Sequence, residues 1–124
     1  MWTPIDKWVP EPLPEPVETC GTKFDDGKPR YDLLPADSLH EIAEILTLGA
    51  AKYGDRNWEK GMSWSRVFAA AMRHLWAWWR GEDADPDDGK SHLAHAACCV
   101  MFLQAYRARR VGEDDRLVLP HTGK

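Results

Sequence analysis

Three long stretches of this chain carry apolar residues at intervals of three and four, and no strand-like stretch alternates them at two. That period belongs to an α-helix, in which residues i, i+3 and i+4 share a face, and it argues against a sheet with one buried side. Three segments carry it. The first is predicted from about Ser38 to Ala51, with Asp37 as N-cap and Leu39, Ile42, Ala43, Leu46 and Ala50 at helical spacing. The second follows Ser63, its N-cap, to about Arg80, with Val67, Phe68, Ala71, Leu75 and Trp78 in one stripe. The third covers about Ser91 to Arg109, apolar through Leu93, Ala96, Ala97, Val100 and Leu103. The connections "KYGDRNWEKGM" and "GEDADPDDGK" contain the glycines and the proline that break helices. An all-α fold is expected, a small bundle of three main helices.

The flanks have a different grammar. Residues 1–21 hold five of the nine prolines, so they form neither helix nor central strand and read as an extended arm. The stretch 22–109 carries the helices, and 110–124 reads as an irregular C-terminal tail with one short apolar patch. A length of 124 residues suits a single domain with a modest core. Helix two presents Trp76, Trp78 and Trp79, which cannot all face one direction at about 100° per residue. A buried tryptophan removes well over ~100 Å² from water. A homo-oligomer, dimer or larger, is therefore expected to complete the fold.

The net charge of −4 gives no global field for a nucleic-acid polymer or an acidic membrane. No apolar run approaches the roughly 20 residues that span a bilayer. Three cysteines, with Cys98 and Cys99 adjacent, do not make a disulfide framework. The opening "MWTPIDKWVP" lacks the basic-then-apolar pattern of a signal peptide, so a cytoplasmic location is expected.

The chemistry concentrates in "RHLWAWWRGEDADPDDGKSHLAHA". His92 and His95, at i and i+3, project from one face of the third helix. If helices two and three run antiparallel across the 81–90 loop, His74 approaches them; the plain alternative is core or surface histidines. Glu82, Asp83, Asp85, Asp87 and Asp88 fill that loop. Glu82 and Asp85 are candidate ligands for a hard cation such as Mg²⁺ or Mn²⁺, against the reading of a solvated acidic loop. Glu41 and Glu44 on helix one are further candidates, or simply an exposed face. Zinc held by His92, His95, Cys98 and Cys99 is disfavoured, because the two thiols point about 100° apart and no CxxC occurs.

Basic groups gather at the element boundaries: Lys23, Lys28 and Arg30 before helix one, Lys52, Arg56 and Asn57 after it, and Arg73 on helix two. Such loops suit phosphate, and Tyr53 or Trp58 nearby suits stacking on a base. Neither a Walker loop, nor GxGxxG, nor an HD pair is present.

The strings "TKFDDGKPRYDLLP", "GAAKYGDRNWEKG", "RHLWAWWRGEDADPDDG" and "HLAHAACCVMFL", in that order and spacing, resemble the phage-associated dATP/dGTP diphosphohydrolases, relatives of the MazG-like all-α nucleoside triphosphate pyrophosphatases. The resemblance runs over about residues 22 to 106. It implies a nucleotide-binding helical domain and hydrolysis of a purine deoxynucleoside triphosphate to monophosphate and pyrophosphate with a divalent metal. The positions inside the matching blocks are Lys23, Asp25, Lys28, Arg30, Lys52, Tyr53, Asn57, Trp58, Arg73, His74, Glu82, Asp85, His92 and His95. The MazG-like signature itself, EExxE followed by ExxD, is absent: Arg73, His74 and Ala77 stand on helix two, and His92 and His95 on helix three.

The expectation is thus a Mg²⁺- or Mn²⁺-dependent pyrophosphohydrolase. Metal ligands come from Glu82, Asp85, Glu41 and Glu44, and His74, His92, His95 and Glu82 are the catalytic candidates. Lys23, Lys28, Arg30, Lys52, Tyr53, Asn57, Trp58 and Arg73 would bind the purine nucleotide. Two alternatives stand beside it: a phage protein that sequesters a nucleotide or cyclic-nucleotide signal without turnover, and a structural accessory domain.

Overall fold

The computed structural model describes Pro12 and residues 20–118, so the proline-rich arm lies almost wholly outside the described residues, as does the end of the tail. The chain divides into two compact units, residues 1–32 and 33–124. In the first, Lys28 N–H donates to the Asp25 carbonyl at 3.0 Å, closing a turn with Gly27 at φ 79°. The third position of such a turn needs a positive φ, which glycine adopts at no steric cost. Arg30 pairs with Asp32 at 2.7 Å in the same unit. Lys23, Lys28 and Arg30 are all exposed.

The second unit is three helices: α1 (Ala36–Tyr53), α2 (Trp64–Trp79) and α3 (His92–Arg109). Among the described residues there is no strand, and the all-α expectation holds. The helix starts are instructive. Pro35, not Asp37, occupies the N-cap of α1. Proline has no N–H to leave unpaired there, and its fixed φ suits a helix entry. Asp37 sits inside the first turn and accepts from Ser38 N–H at 2.8 Å. Ser63 does stand at the N-cap of α2, but its side chain caps nothing. Ser91, expected only as the first residue of the third helix, caps α3 by accepting from Ala94 N–H at 3.2 Å.

What caps α2 comes from the tail. Asp115 accepts from both the N–H and the hydroxyl of Ser65, at 2.9 and 2.5 Å. Trp64 donates its indole N–H to the Val111 carbonyl and its main-chain N–H to the Glu113 carbonyl, both at 2.9 Å. Glycine is required at position 112, where φ is 80° and a Cβ would lie 2.5 Å from the Met62 carbonyl oxygen. The segment after α3 is therefore an ordered strap over the start of α2.

These contacts place the end of α3 at the start of α2, while His74 near the end of α2 meets His92 at the start of α3. The two helices run antiparallel. Apart from His92 and Tyr106, the buried residues of the two helices are small: Val67, Ala71 and Ala77 on α2, with Ala94, Ala96 and Cys98 on α3. Val67 and Ala71 at i and i+4 on α2, and Ala94 and Cys98 at the same spacing on α3, are small enough to let helix backbones approach, at the cost of a thin apolar core. Tyr106 is the one large side chain fully buried among the described residues, and its hydroxyl donates to the Trp58 carbonyl. α1 lies against α3, where Cys98 Sγ faces the Ile42 carbonyl. Among the described residues no helix is long and apolar enough to cross a membrane.

Candidate functional site

The site forms where α2 ends and α3 begins, because the antiparallel pairing brings three imidazoles together. His74 Nδ1 lies 2.9 Å from His92 Nδ1. The rings of His74 and His95 stack with centroids 4.5 Å apart and planes within 6°. His92 is buried, only 4% exposed, and its other nitrogen, Nε2, stands 2.6 Å from Glu82 Oε1. An ionised carboxylate can only accept, so Nε2 carries the hydrogen and Nδ1 turns its lone pair toward His74. Burial lowers the pKa of His74 below the ordinary imidazole range, and the neighbouring His95 and His92 push it the same way. Its neutral form, the one able to donate a lone pair, is favoured.

The loop between the helices is held in shape by its own backbone. Asp85 N–H donates to the Lys90 carbonyl and Gly89 N–H to the Asp85 carbonyl, each at 2.7 Å, and His92 N–H reaches the Asp83 carbonyl at 2.9 Å. Ala84 and Ser91 add an antiparallel bridge. Within this frame each of two acids has one oxygen anchored to an amide. Asp85 Oδ1 takes Asp87 N–H at 2.9 Å, and Asp88 Oδ1 takes Lys90 N–H at 2.8 Å. Their remaining oxygens face His95 Nε2, Asp88 Oδ2 at 2.8 Å and Asp85 Oδ2 at 3.9 Å. Desolvation works to raise the Asp88 carboxyl, but the Lys90 amide and His95 outweigh it and hold it below the ordinary carboxylate range.

His74, Asp85 and His92 thus bring one donor atom each to within 4.8 Å of one another. Two ligands set at right angles on one first-row cation, each about 2.1 Å from it, stand about 3 Å apart. The His74–His92 nitrogen separation matches that value. Imidazole suits transition cations, whereas Mg²⁺ prefers oxygen throughout. Of the two ions expected, the donor set fits Mn²⁺ better.

The sequence-predicted residues fall into different places. His74, His92, His95 and Asp85 come together. Glu82 stands behind His92 as its hydrogen-bond partner, not beside Asp85 among the converging atoms. Glu41 is exposed on α1, and Glu44 Oε2 takes Lys90 Nζ at 3.3 Å; neither acid is among the donors that converge with His74, His92 and His95. Arg73 is exposed next to His74. Lys52 lies with its Nζ 5.1 Å from the ring centre of Tyr53, itself 61% exposed. Asn57 and Trp58 belong to a short 3-10 turn, Asn57–Lys60. One face of Trp58 is covered by Phe102 at 4.4 Å, which gives it a packing role where base stacking was expected. Phe102 lies about two turns, about 10 Å, along α3 from His95. Cys98 points to α1, and burial pushes its thiol up to about 11, far from the thiolate a metal needs. Asp88, which the sequence offers only as one of the acids of the 81–90 loop, joins the converging histidines and Asp85. Its signal was its position just before the N-cap of the helix that carries both histidines.

A family model described as "dATP/dGTP diphosphohydrolase, N-terminal" matches residues 18–116. A protein of Salmonella phage PMBT28 named dATP/dGTP diphosphohydrolase is 36% identical over 96 residues, covering 77% of this chain and 33% of that protein. The chain therefore spans about a third of the length of this curated relative. No solved structure matches it.

Proposed function

The chain belongs to the dATP/dGTP diphosphohydrolase N-terminal family, and from that premise we propose that it hydrolyses purine deoxynucleoside triphosphates to monophosphate and pyrophosphate with a divalent cation. The observation that carries this reading is the convergence of two imidazole Nδ1 atoms 2.9 Å apart with the Asp85 carboxylate close by. His74, Asp85 and His92 would hold Mn²⁺. Glu82 holds the ring of His92 in one tautomer and orientation. When bound, such a cation offsets phosphate charge and lowers the pKa of water.

The remaining roles belong to the chain. His95, held by Asp88 at 2.8 Å, is placed at the edge of the cluster to take the proton of an attacking water. The water oxygen bonds to the α-phosphorus, the bond from that phosphorus to the α–β bridging oxygen breaks, and pyrophosphate leaves with the bonding pair. Arg73 supplies positive charge beside the imidazoles, where the departing phosphates carry excess negative charge. Lys52 and the exposed ring of Tyr53 are the proposed contacts for the nucleotide in this unit.

The test is incubation of the purified chain with each deoxynucleoside triphosphate and Mn²⁺, with chromatographic identification of products. dAMP or dGMP with pyrophosphate is expected from the wild type and not from Asp85→Ala. Equal, background-level products from the two proteins would overturn the enzyme reading. A second reading, nucleotide binding without turnover, is favoured by the absence of the EExxE and ExxD acids from helices α2 and α3. It requires that nucleotide released by heating the complex be recovered unaltered.

A further inference from the structure

We propose that this site takes two divalent cations, not one, with Asp85 shared between them; the inference rests on the cation-dependent reading above and changes it at one residue, since His95 then serves as a ligand and no longer as the base for the attacking water. Two donor groups are present and overlap at a single residue: His74, Asp85 and His92 form one, and Asp85, Asp88 and His95 form the other. In each group the donor atoms lie within 4.8 Å of one another.

Three further features make the second group more than an ion pair at a helix start. First, the anchoring is one-sided. The Asp87 and Lys90 amides each bind one oxygen of Asp85 and Asp88, at 2.9 and 2.8 Å, so the opposite oxygens are turned to the imidazoles. A loop that only needed to solvate its acids has no use for that orientation. Second, His74 and His95 contribute one ring to each group, and the rings are parallel to within 6° at 4.5 Å. Parallel imidazoles at that spacing present donors to two points a few ångströms apart, and two-metal hydrolytic sites keep their cations about 3.5–4 Å apart. Third, the ligand charge is low. Three neutral imidazoles and two carboxylates leave two divalent cations with a net positive charge, which a polyphosphate chain is suited to neutralise. The predicted ligand class is therefore an anion with at least two adjacent phosphates, bound across both cations.

Equilibrium dialysis of the metal-free full chain against Mn²⁺, with elemental analysis, counts the ions without reference to activity. Two Mn²⁺ per chain are expected, with an exchange-coupled paramagnetic resonance signal. Asp88→Ala should reduce the count to one and abolish the coupling, as should His95→Gln, with circular dichroism confirming that both variants keep the wild-type helix content. One uncoupled Mn²⁺ per chain in the wild type would overturn the shared-cation inference while leaving the single-cation reading intact. No bound Mn²⁺ would overturn both. Two coupled ions in a chain that releases every nucleotide unaltered would keep this inference and remove the hydrolysis.

Discussion

His92 shows how one side chain is committed to two partners at once. Its Nε2 is bonded to Glu82 at 2.6 Å, and its Nδ1 is thereby fixed as the atom that meets His74. Glu82 does not join the converging donors, yet it decides which nitrogen is free to join them. Glu82→Gln keeps an oxygen acceptor but removes the charge that raises the basicity of the ring. Mn²⁺ affinity should fall by about 10–100-fold in a calorimetric titration, with the helix content unchanged. An unaltered dissociation constant would show that Glu82 has no part in the site. The histidines themselves were readable, because i, i+3 spacing and an antiparallel hairpin leave few places for them to go. The division between Asp85 and Glu82 was not, because spacing tells which residues share a face and nothing about which oxygen an amide has already taken. For the same reason Asp88 looked like a surface acid.

The elements were legible to within about two residues at their ends, since helical period and breakers are local signals. Their caps were less so. The α2 N-terminus is satisfied by Asp115, a residue far along the chain, and no local pattern announces such a bond. Ser65 holds the Asp115 carboxyl below the ordinary range through its hydroxyl first and its main-chain N–H second, with desolvation pushing weakly the other way. A carboxyl depressed in the folded state stabilises the fold above its unfolded value, about 4, and loses that contribution as pH falls through the folded value. The strap should therefore loosen at the start of α2 below about pH 4. Hydrogen exchange at the Ser65 amide and Trp64 fluorescence report it. Asp115→Asn should show the loosened state already at neutral pH and lose the acid step. Superposable pH profiles for the two proteins would refute the capping role.

Across the whole molecule, the small residues between α2 and α3 leave the large ones outside. Trp76 is 55% exposed and Trp79 70%, and Leu75, Leu93 and Val100 join them in an apolar surface along the two helices. The sequence foretold this excess from the tryptophans alone, since a thin bundle has one inside and helix two has apolar groups on several sides. The expected remedy is a second copy of the chain on that surface. Light scattering after gel filtration should give a mass above that of one 14.1 kDa chain, and Trp79→Glu should shift it toward the monomer. A wild-type monomer at tens of micromolar would remove the expectation. What no sequence pattern supplied was the crossover between α2 and α3, whose backbone bonds fix the acids before any ligand arrives. A frame that closes on itself in this way is portable. Transplanted with its two flanking helix ends onto an unrelated antiparallel hairpin of the same spacing, it should carry its donor arrangement along, as a cassette does.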